Sequence, residues 1–274
     1  MTLSPQVSRE IVAYYETVFD ESDRLTATAD GQLELVRTQE LLRRHLPPPP
    51  ASVIDIGGGP GTHAQWLIQD GYQVHVVDPV PRHVEQAAIT GATAELGDAR
   101  ELSAATGTYD VALVLGPMYH LVEREDRLRS LAEARRVTRP DGLVAVAAIN
   151  RYAALFEQTA TTLLERTRMA ESVADILRTG QLLATGRERF TTSYFHAVAE
   201  LQEELCATGF SDVAVYGVEG PAWSMLKATE QHSGEPQIDT PLFRAALAAA
   251  RIADDHPELL AAGSHLLALA THPS

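Results

Sequence analysis

The sequence predicts an α/β fold: a doubly wound, mostly parallel sheet of seven strands with helices on both faces. Three observations point to it. From residue 51 onward, short apolar runs alternate with segments of helical spacing. The runs lack the polar alternation of a half-exposed strand, as expected for strands covered on both faces. Three consecutive runs also end on glycines or an acidic residue, at the edge where such sheets bind ligands.

A helical cap, residues 1–50, precedes that alternation. Residues 8–20 carry Ile11, Tyr14, Tyr15, Val18 and Phe19 at the spacing of one helix face. Residues 31–46 set Leu35, Leu42 and Leu46 along another. The run Pro47 to Pro50 ends the cap, because proline donates no backbone N–H and restricts the residue before it. The core follows over 51–150. Strands are predicted at 52–56, 73–78, 92–97, 109–115 and 142–149, and helices at 62–70, 81–90, 100–105 and 124–138. Right-handed crossovers join such strands. Residues 151–190 break the rhythm: Leu155, Phe156, Leu163 and Leu164, then Val173, Ile176 and Leu177, predict two helices inserted after the fifth strand. Alternation resumes over 191–274, with a helix near 193–208, a strand near 212–218, a helix near 241–254 and a strand near 265–270. The full chain, 1–274, fits one doubly wound domain with insertions. Cap and insert are both expected over the carboxyl edge of the sheet, enclosing a pocket together.

Composition narrows the function classes. Hydrophobic residues at 45% and charged residues at 22% are the balance of an ordinary globular chain. The formal net charge is −15 and Lys227 is the single lysine. A field of that sign repels phosphate backbones and anionic membrane surfaces, so neither nucleic acid nor a membrane is the expected partner. Cys206, the one cysteine, excludes an intramolecular disulfide and a thiolate zinc cluster. The ten histidines include no His-x-x-x-His pair, so no metal is expected. Met1 to Glu10 lacks the basic start and apolar core of a leader, and no apolar run reaches the roughly 18 residues of a membrane span. A cytoplasmic location is the expectation, with the oligomeric state open and a homodimer among the options.

The most informative stretch is Val53-Ile54-Asp55-Ile56-Gly57-Gly58-Gly59-Pro60-Gly61-Thr62. An apolar strand runs into a glycine turn where the backbone can meet a ligand with no Cβ in the way. A dinucleotide fingerprint would want a small residue where Thr62 stands. The glycines fall instead as Gly57-x-Gly59-x-Gly61, with Asp55 two residues before the first. Pyrophosphate gains nothing from a carboxylate beside it, whereas a ligand with an ammonium and a sulfonium does. The second run ends in Asp78, followed by Pro79, where a carboxylate can accept both ribose hydroxyls. The third ends in Gly97-Asp98-Ala99, where Asp98 is a candidate acceptor for an adenine amino group. Any one of these acids alone is as readily a helix N-cap; three at consecutive strand ends make a site.

With these residues the sequence resembles the class I S-adenosylmethionine-dependent methyltransferases, over roughly residues 51–149. Asp55-x-Gly57-x-Gly59-x-Gly61 is similar to their first motif, with Gly58 inside it, and Asp78 to the second. Gly97-Asp98-Ala99 resembles the third, residues 109–115 the fourth-strand motif, and Arg139-Pro140-Asp141-Gly142-Leu143 the turn into the fifth strand. Tyr14-Tyr15, Arg24-Leu25 and Glu34 to Arg37 are similar to the cap of certain small bacterial members. The resemblance implies S-adenosylmethionine as cofactor, with Leu115 and Gly116 also against it, and a methyl acceptor as substrate.

Methyl transfer is a direct displacement that asks the protein to hold a nucleophile in line at roughly 3 Å and exclude water. The residues Leu115-Gly116-Pro117-Met118-Tyr119-His120 depart from the Asp/Asn-Pro-Pro-Tyr/Phe turn of enzymes that methylate bases, which favours a small-molecule acceptor. His120 is the candidate general base, with a helix cap or packing as its plainer role. Tyr14 and Tyr15 are candidates to close over the sulfonium by cation–π contact, or are core. Tyr119 and Arg24 are candidate acceptor ligands, Arg24 through a carboxylate unless it serves an ion pair. His196 and Arg151 rest on position alone. Two rivals stay open: a non-catalytic cofactor-binding scaffold or sensor, and a nicotinamide-dependent oxidoreductase.

Overall fold

The structure is a computed structural model that describes residues 12–16, 21–183 and 192–273. Nine strands lie among them: β1 (Ser52–Ile56), β2 (Gln73–Asp78), β3 (Thr93–Leu96), β4 (Tyr109–Val114), β5 (Thr138–Asn150), β6 (Gln181–Leu182), β7 (Ser193–His196), β8 (Ser211–Gly217) and β9 (His265–Thr271). Seven form the main sheet in the order β3-β2-β1-β4-β5-β9-β8, with β9 antiparallel to both neighbours. This is the doubly wound, mostly parallel sheet that the sequence predicts. β6 and β7 form an extra hairpin, and β7 pairs only with Ile149 and Asn150, past Val146, the last partner of β4.

The continuous apolar strands are explained by the two core layers. Ile54, Ile56, Ala112, Val114, Val144 and Val146 face one layer. Val53, Val74, Val76, Val111, Leu113 and Ala145 face the other. Successive side chains point to opposite faces, so a strand covered on both sides must be apolar at every step.

The cap helix Ala29–His45 begins at Thr28, whose hydroxyl accepts from the Gly31 N–H at 3.2 Å, and ends on Arg43, Arg44 and His45, which suit the negative end of its dipole. Residues 12–16 are helical; the remainder of the expected 8–20 helix, with Ile11, Val18 and Phe19, lies outside the described residues. Helices stand at Thr62–Gln69, Pro81–Ile89 and Arg124–Val137 as predicted. The insert forms the helices Ala153–Ala160 and Thr167–Thr179, and its residues 184–190 lie outside the described residues. No helix among the described residues is long and apolar enough to cross a membrane.

Two expectations are corrected, and one helix is added that the sequence did not predict. Residues 100–105 form no helix, because Arg100 is drawn to Asp98 and Asp126 and the Leu102 N–H to the Glu133 carboxylate at 2.7 Å. The predicted helix 193–208 begins only at Val198, since Ser193–His196 extends instead to pair with β5 and β6. Helix Trp223–Ser233 carries no strong periodic signal in the sequence; its Trp223 and Leu226 pack on Ala29 and Leu33 of the cap and on Phe243 and Ala246 of helix Pro241–Ala253.

Candidate active site

A cavity of about 280 Å³ lies over the carboxyl ends of the strands, beneath the cap. Fifteen of the seventeen predicted site residues line it: Asp55, Gly57, Gly58, Gly59, Asp78, Pro79, Asp98, Ala99, Leu115, Gly116, Tyr119, His120, Tyr14, Tyr15 and Arg24.

Asp55 is the most unusual of them. It shares a face of β1 with Val53, between Val76 and Leu113 of the neighbouring strands, and is fully buried. Neither carboxyl oxygen has a hydrogen-bond partner among the described residues. Burial, reinforced by the Asp78 charge, pushes its pKa up to about 7. Gly58 lies directly above, where a Cβ would stand 2.6 Å from the carboxyl, so any larger residue would seal the acid off.

The two remaining predicted residues, Gly61 and Gly97, do not line the cavity. Gly61 has φ +86° and a Cβ there would stand 3.0 Å from Ala87 Cα, so it allows helix Thr62–Gln69 to pack on helix Pro81–Ile89. A Cβ on Gly97 would stand 2.6 Å from Val77 Cγ1.

Asp78 ties the first two loops together. Its Oδ2 accepts the Gly59 N–H at 2.9 Å and its Oδ1 the Val80 N–H at 2.9 Å, with His83 Nδ1 at 3.1 Å. Asp98 is gripped by Arg100, Nε to Oδ1 at 2.9 Å and Nη2 to Oδ2 at 2.8 Å, so an adenine amino group would have to share those oxygens.

The cap supplies the roof. The Tyr15 hydroxyl lies 3.0 Å from His120 Nε2, and Tyr14 meets the Tyr15 ring edge-on at 5.2 Å. Burial pushes the His120 pKa down to about 4 and the Tyr15 hydroxyl well up, so both are neutral at physiological pH. Arg24 is the expected ion pair: Nη1 and Nη2 bond both oxygens of Glu34 at 2.8 and 2.9 Å, and Nε bonds Glu21 at 2.6 Å. An incoming carboxylate would meet a guanidinium already bonded to two internal acids.

His196 and Arg151 are elsewhere. His196 is buried against Glu204 at 3.2 Å, and Arg151 bonds the Phe195 carbonyl and Glu200. The insert also departs from expectation: among the described residues, none of 151–183 lines the cavity. Ala153, Ala154, Val173 and Ile176 pack instead with Ile149 and Phe195, so this part of the insert braces β5 and β7, and among the described residues the cap forms the roof.

Sequence reasoning passed over Glu21, His63, His83, Arg100 and His265, all on the cavity wall. Glu34, Glu219 and His265 come within 4.8 Å of one another. The two carboxylates are engaged: Glu34 by the Arg24 fork, Glu219 by His265 Nδ1 and the N–H groups of Ser264 and His265. The cluster is a charge network, with the Glu34 pKa held down at about 2 as Arg24 and His265 outweigh its burial.

Residues 53–142 match the family model described as a methyltransferase domain. An uncharacterized methyltransferase of Mycobacterium tuberculosis is 34% identical over 99 residues, 35% of this chain and 39% of the relative. Another, from a Mycobacterium species, is 31% identical over 142 residues, 50% of this chain and 55% of the relative. This stretch is similar to a methyltransferase domain. The chain thus spans about half or less of the curated methyltransferases it matches. Among solved structures, a Thermotoga maritima S-adenosylmethionine-dependent methyltransferase, described as a possible histamine N-methyltransferase, has a TM-score of 0.59 at 16% identity, covering 96% of this chain and 99% of that one. The [4+2]-cyclase SpnF has a TM-score of 0.54 at 17% identity, covering 92% and 85%. Both share the methyltransferase fold.

The site suits S-adenosylmethionine, the cofactor named for the solved Thermotoga methyltransferase of the same fold. An unpartnered carboxylate beneath a glycine loop offers a place for its cationic methionyl end.

Proposed function

We propose that the protein transfers a methyl group from S-adenosylmethionine to a small-molecule acceptor by direct displacement. The observation that carries this reading is Asp55: a buried carboxylate with no partner among the described residues, on the wall of a cavity, calls for a cation. The cofactor supplies an electrophilic methyl group on a sulfonium. Asp55 and Gly57 to Gly59 hold its methionyl end, Asp78 and Pro79 its ribose, and Asp98 and Ala99 its adenine. Leu115 and Gly116 flank it. Tyr14 and Tyr15 exclude water from above. Tyr15 also orients His120, which takes a proton from an acceptor that must lose one. A cavity of about 280 Å³ under a cap suits a small molecule better than a macromolecular surface. We read the chain as one domain, because β8 and β9 join the sheet that β1 to β5 begin.

Isothermal titration tests the cofactor. S-adenosylhomocysteine should bind in the micromolar range, about −8 kcal/mol, and NAD and NADP should not bind. Nicotinamide binding without a response to S-adenosylhomocysteine would overturn the reading. Cofactor binding with no methyl transfer to any acceptor would favour a scaffold; the [4+2]-cyclase carries the same fold under the name of another reaction.

His120→Ala should slow turnover by about 10²-fold, the low end for a positioned base, because a base of low pKa is a weak one. The wild-type rate should stay level from pH 8 to 5 and fall only near pH 4, where the ring takes up its proton. Unchanged turnover with a lower melting temperature would make His120 a packing residue.

A further inference from the structure

Past the glycine loop, the cavity wall changes character. Tyr119 follows β4, Ile149 closes β5, and His265 opens β9 as the strand partner of Ile149. His265 Nδ1 is bonded to Glu219 Oε1 at 2.5 Å, and Glu34 Oε2 lies 3.6 Å from the same nitrogen. The other oxygen of Glu219 accepts the N–H groups of Ser264 and His265 at 3.0 and 2.9 Å, so the carboxylate is fixed in place. With Nδ1 committed, Nε2 remains for the cavity, and it has no hydrogen-bond partner among the described residues. Tyr119 stands beside it, ring centroids 5.8 Å apart, and its hydroxyl is likewise unengaged among the described residues.

We propose that His265, with Tyr119 beside it, is an anion-binding position of this cavity and takes a carboxylate or comparably acidic oxygen of a small molecule. The inference rests on the reading of the cavity as a cofactor and acceptor site. Imidazolium Nε2–H and phenol O–H are both donors, and two neighbouring donors match the two oxygens of a carboxylate. Glu34 and Glu219 keep the ring protonated up to about pH 9, against its burial and the Arg24 charge. Burial and the same acids keep the Tyr119 hydroxyl protonated. His63, across Glu34, is neutral above about pH 4 and adds no competing charge. A neutral donor pair would accept an amide as readily as an acid; the positive ring selects the anion. That anion has two sources, the carboxylate of the cofactor's methionyl end or an acid group of the acceptor.

Calorimetry with paired probes distinguishes them. S-adenosylhomocysteine carries the methionyl carboxylate and 5′-methylthioadenosine lacks it. Benzoate and benzamide, titrated into protein saturated with S-adenosylhomocysteine, play the same parts for the acceptor. His265→Gln keeps a donor and removes the charge. It should weaken one anionic probe about ten- to hundredfold and leave its uncharged counterpart unchanged. Loss confined to S-adenosylhomocysteine assigns the position to the cofactor; loss confined to benzoate assigns it to the acceptor. The proposal is overturned if neither anionic probe responds, or if charged and uncharged probes weaken together. Where benzoate is the responding anion, the wild type gives a check that needs no variant: its affinity should fall as pH rises through about 9 while that of benzamide stays flat, and a level profile for both overturns the proposal. Failure of wild-type protein to bind either adenosine probe would instead undo the cofactor reading itself.

Discussion

Asp55→Asn should make the protein more stable at pH 8 while weakening its hold on the cofactor. In the folded chain Asp55 keeps its proton up to about pH 7, against 3.8 for an unperturbed aspartate. Between those limits the unfolded chain has released the proton and the folded chain has not, so stability falls as pH rises through the window. Above it, an ionised buried carboxylate costs about 4 kcal/mol. Asparagine has nearly the same shape and no charge to desolvate, so the melting temperature at pH 8 should rise by roughly 5–10 °C. The gain should shrink as pH falls and vanish near pH 4. The cofactor's cationic end relieves the same penalty in the wild type, so affinity for S-adenosylhomocysteine should drop by about 10- to 150-fold, the scale of a charged hydrogen bond. Scanning fluorimetry across pH and calorimetry measure the two effects. A variant that is less stable at pH 8, or binds as well as the wild type, would show that Asp55 already has a partner.

Glu204→Ala should be among the most destabilising single substitutions in the chain, about 3–5 kcal/mol. Arg127 and Glu204 are both buried and bonded three ways, at 2.7 to 3.1 Å. The Arg127 guanidinium lies 3.7 Å over the Tyr194 ring, and Nη1 donates to the carbonyls of Leu121 and Val122. His196 adds a fourth contact to Glu204 at 3.2 Å. Removing the carboxylate leaves a buried guanidinium without its counter-charge, the costliest way to break such a pair. Urea denaturation should show a lower midpoint at an unchanged slope. The double variant Arg127→Met, Glu204→Met should recover much of the loss, because it leaves no orphaned charge. If the single variant loses less than about 1 kcal/mol, the pair is as weak as a surface one.

The two predictions separate what could be read early from what could not. Asp55 and Gly57 to Gly59 were legible because strand, turn and carboxylate fall within five residues, where spacing alone sets geometry. Asp78 was legible for the same reason at the end of its own strand. His265 was not: Glu219 stands 46 residues before it and Glu34 far earlier, and no local pattern joins them. Helix Trp223–Ser233 was missed because its buried side is narrow, Trp223 and Leu226, and its partners Ala29 and Leu33 come from the opposite end of the chain. Residues 193–196 extend rather than join the helix that follows because they pair with Ile149 and Asn150, a contact that local spacing does not show.

The sequence by itself determined the doubly wound sheet, the cofactor loop and its three acids, since each depends on short-range periodicity and on residues at the end of one strand. Tertiary structure decided which charges those residues meet. It left the Asp55 carboxylate unpaired among the described residues, engaged Arg24 with Glu21 and Glu34, packed the insert helices Ala153–Ala160 and Thr167–Thr179 off the cavity wall and brought His265 to it. Electrostatic energy in a desolvated interior depends on distances between groups remote in the chain, and only the fold sets those distances.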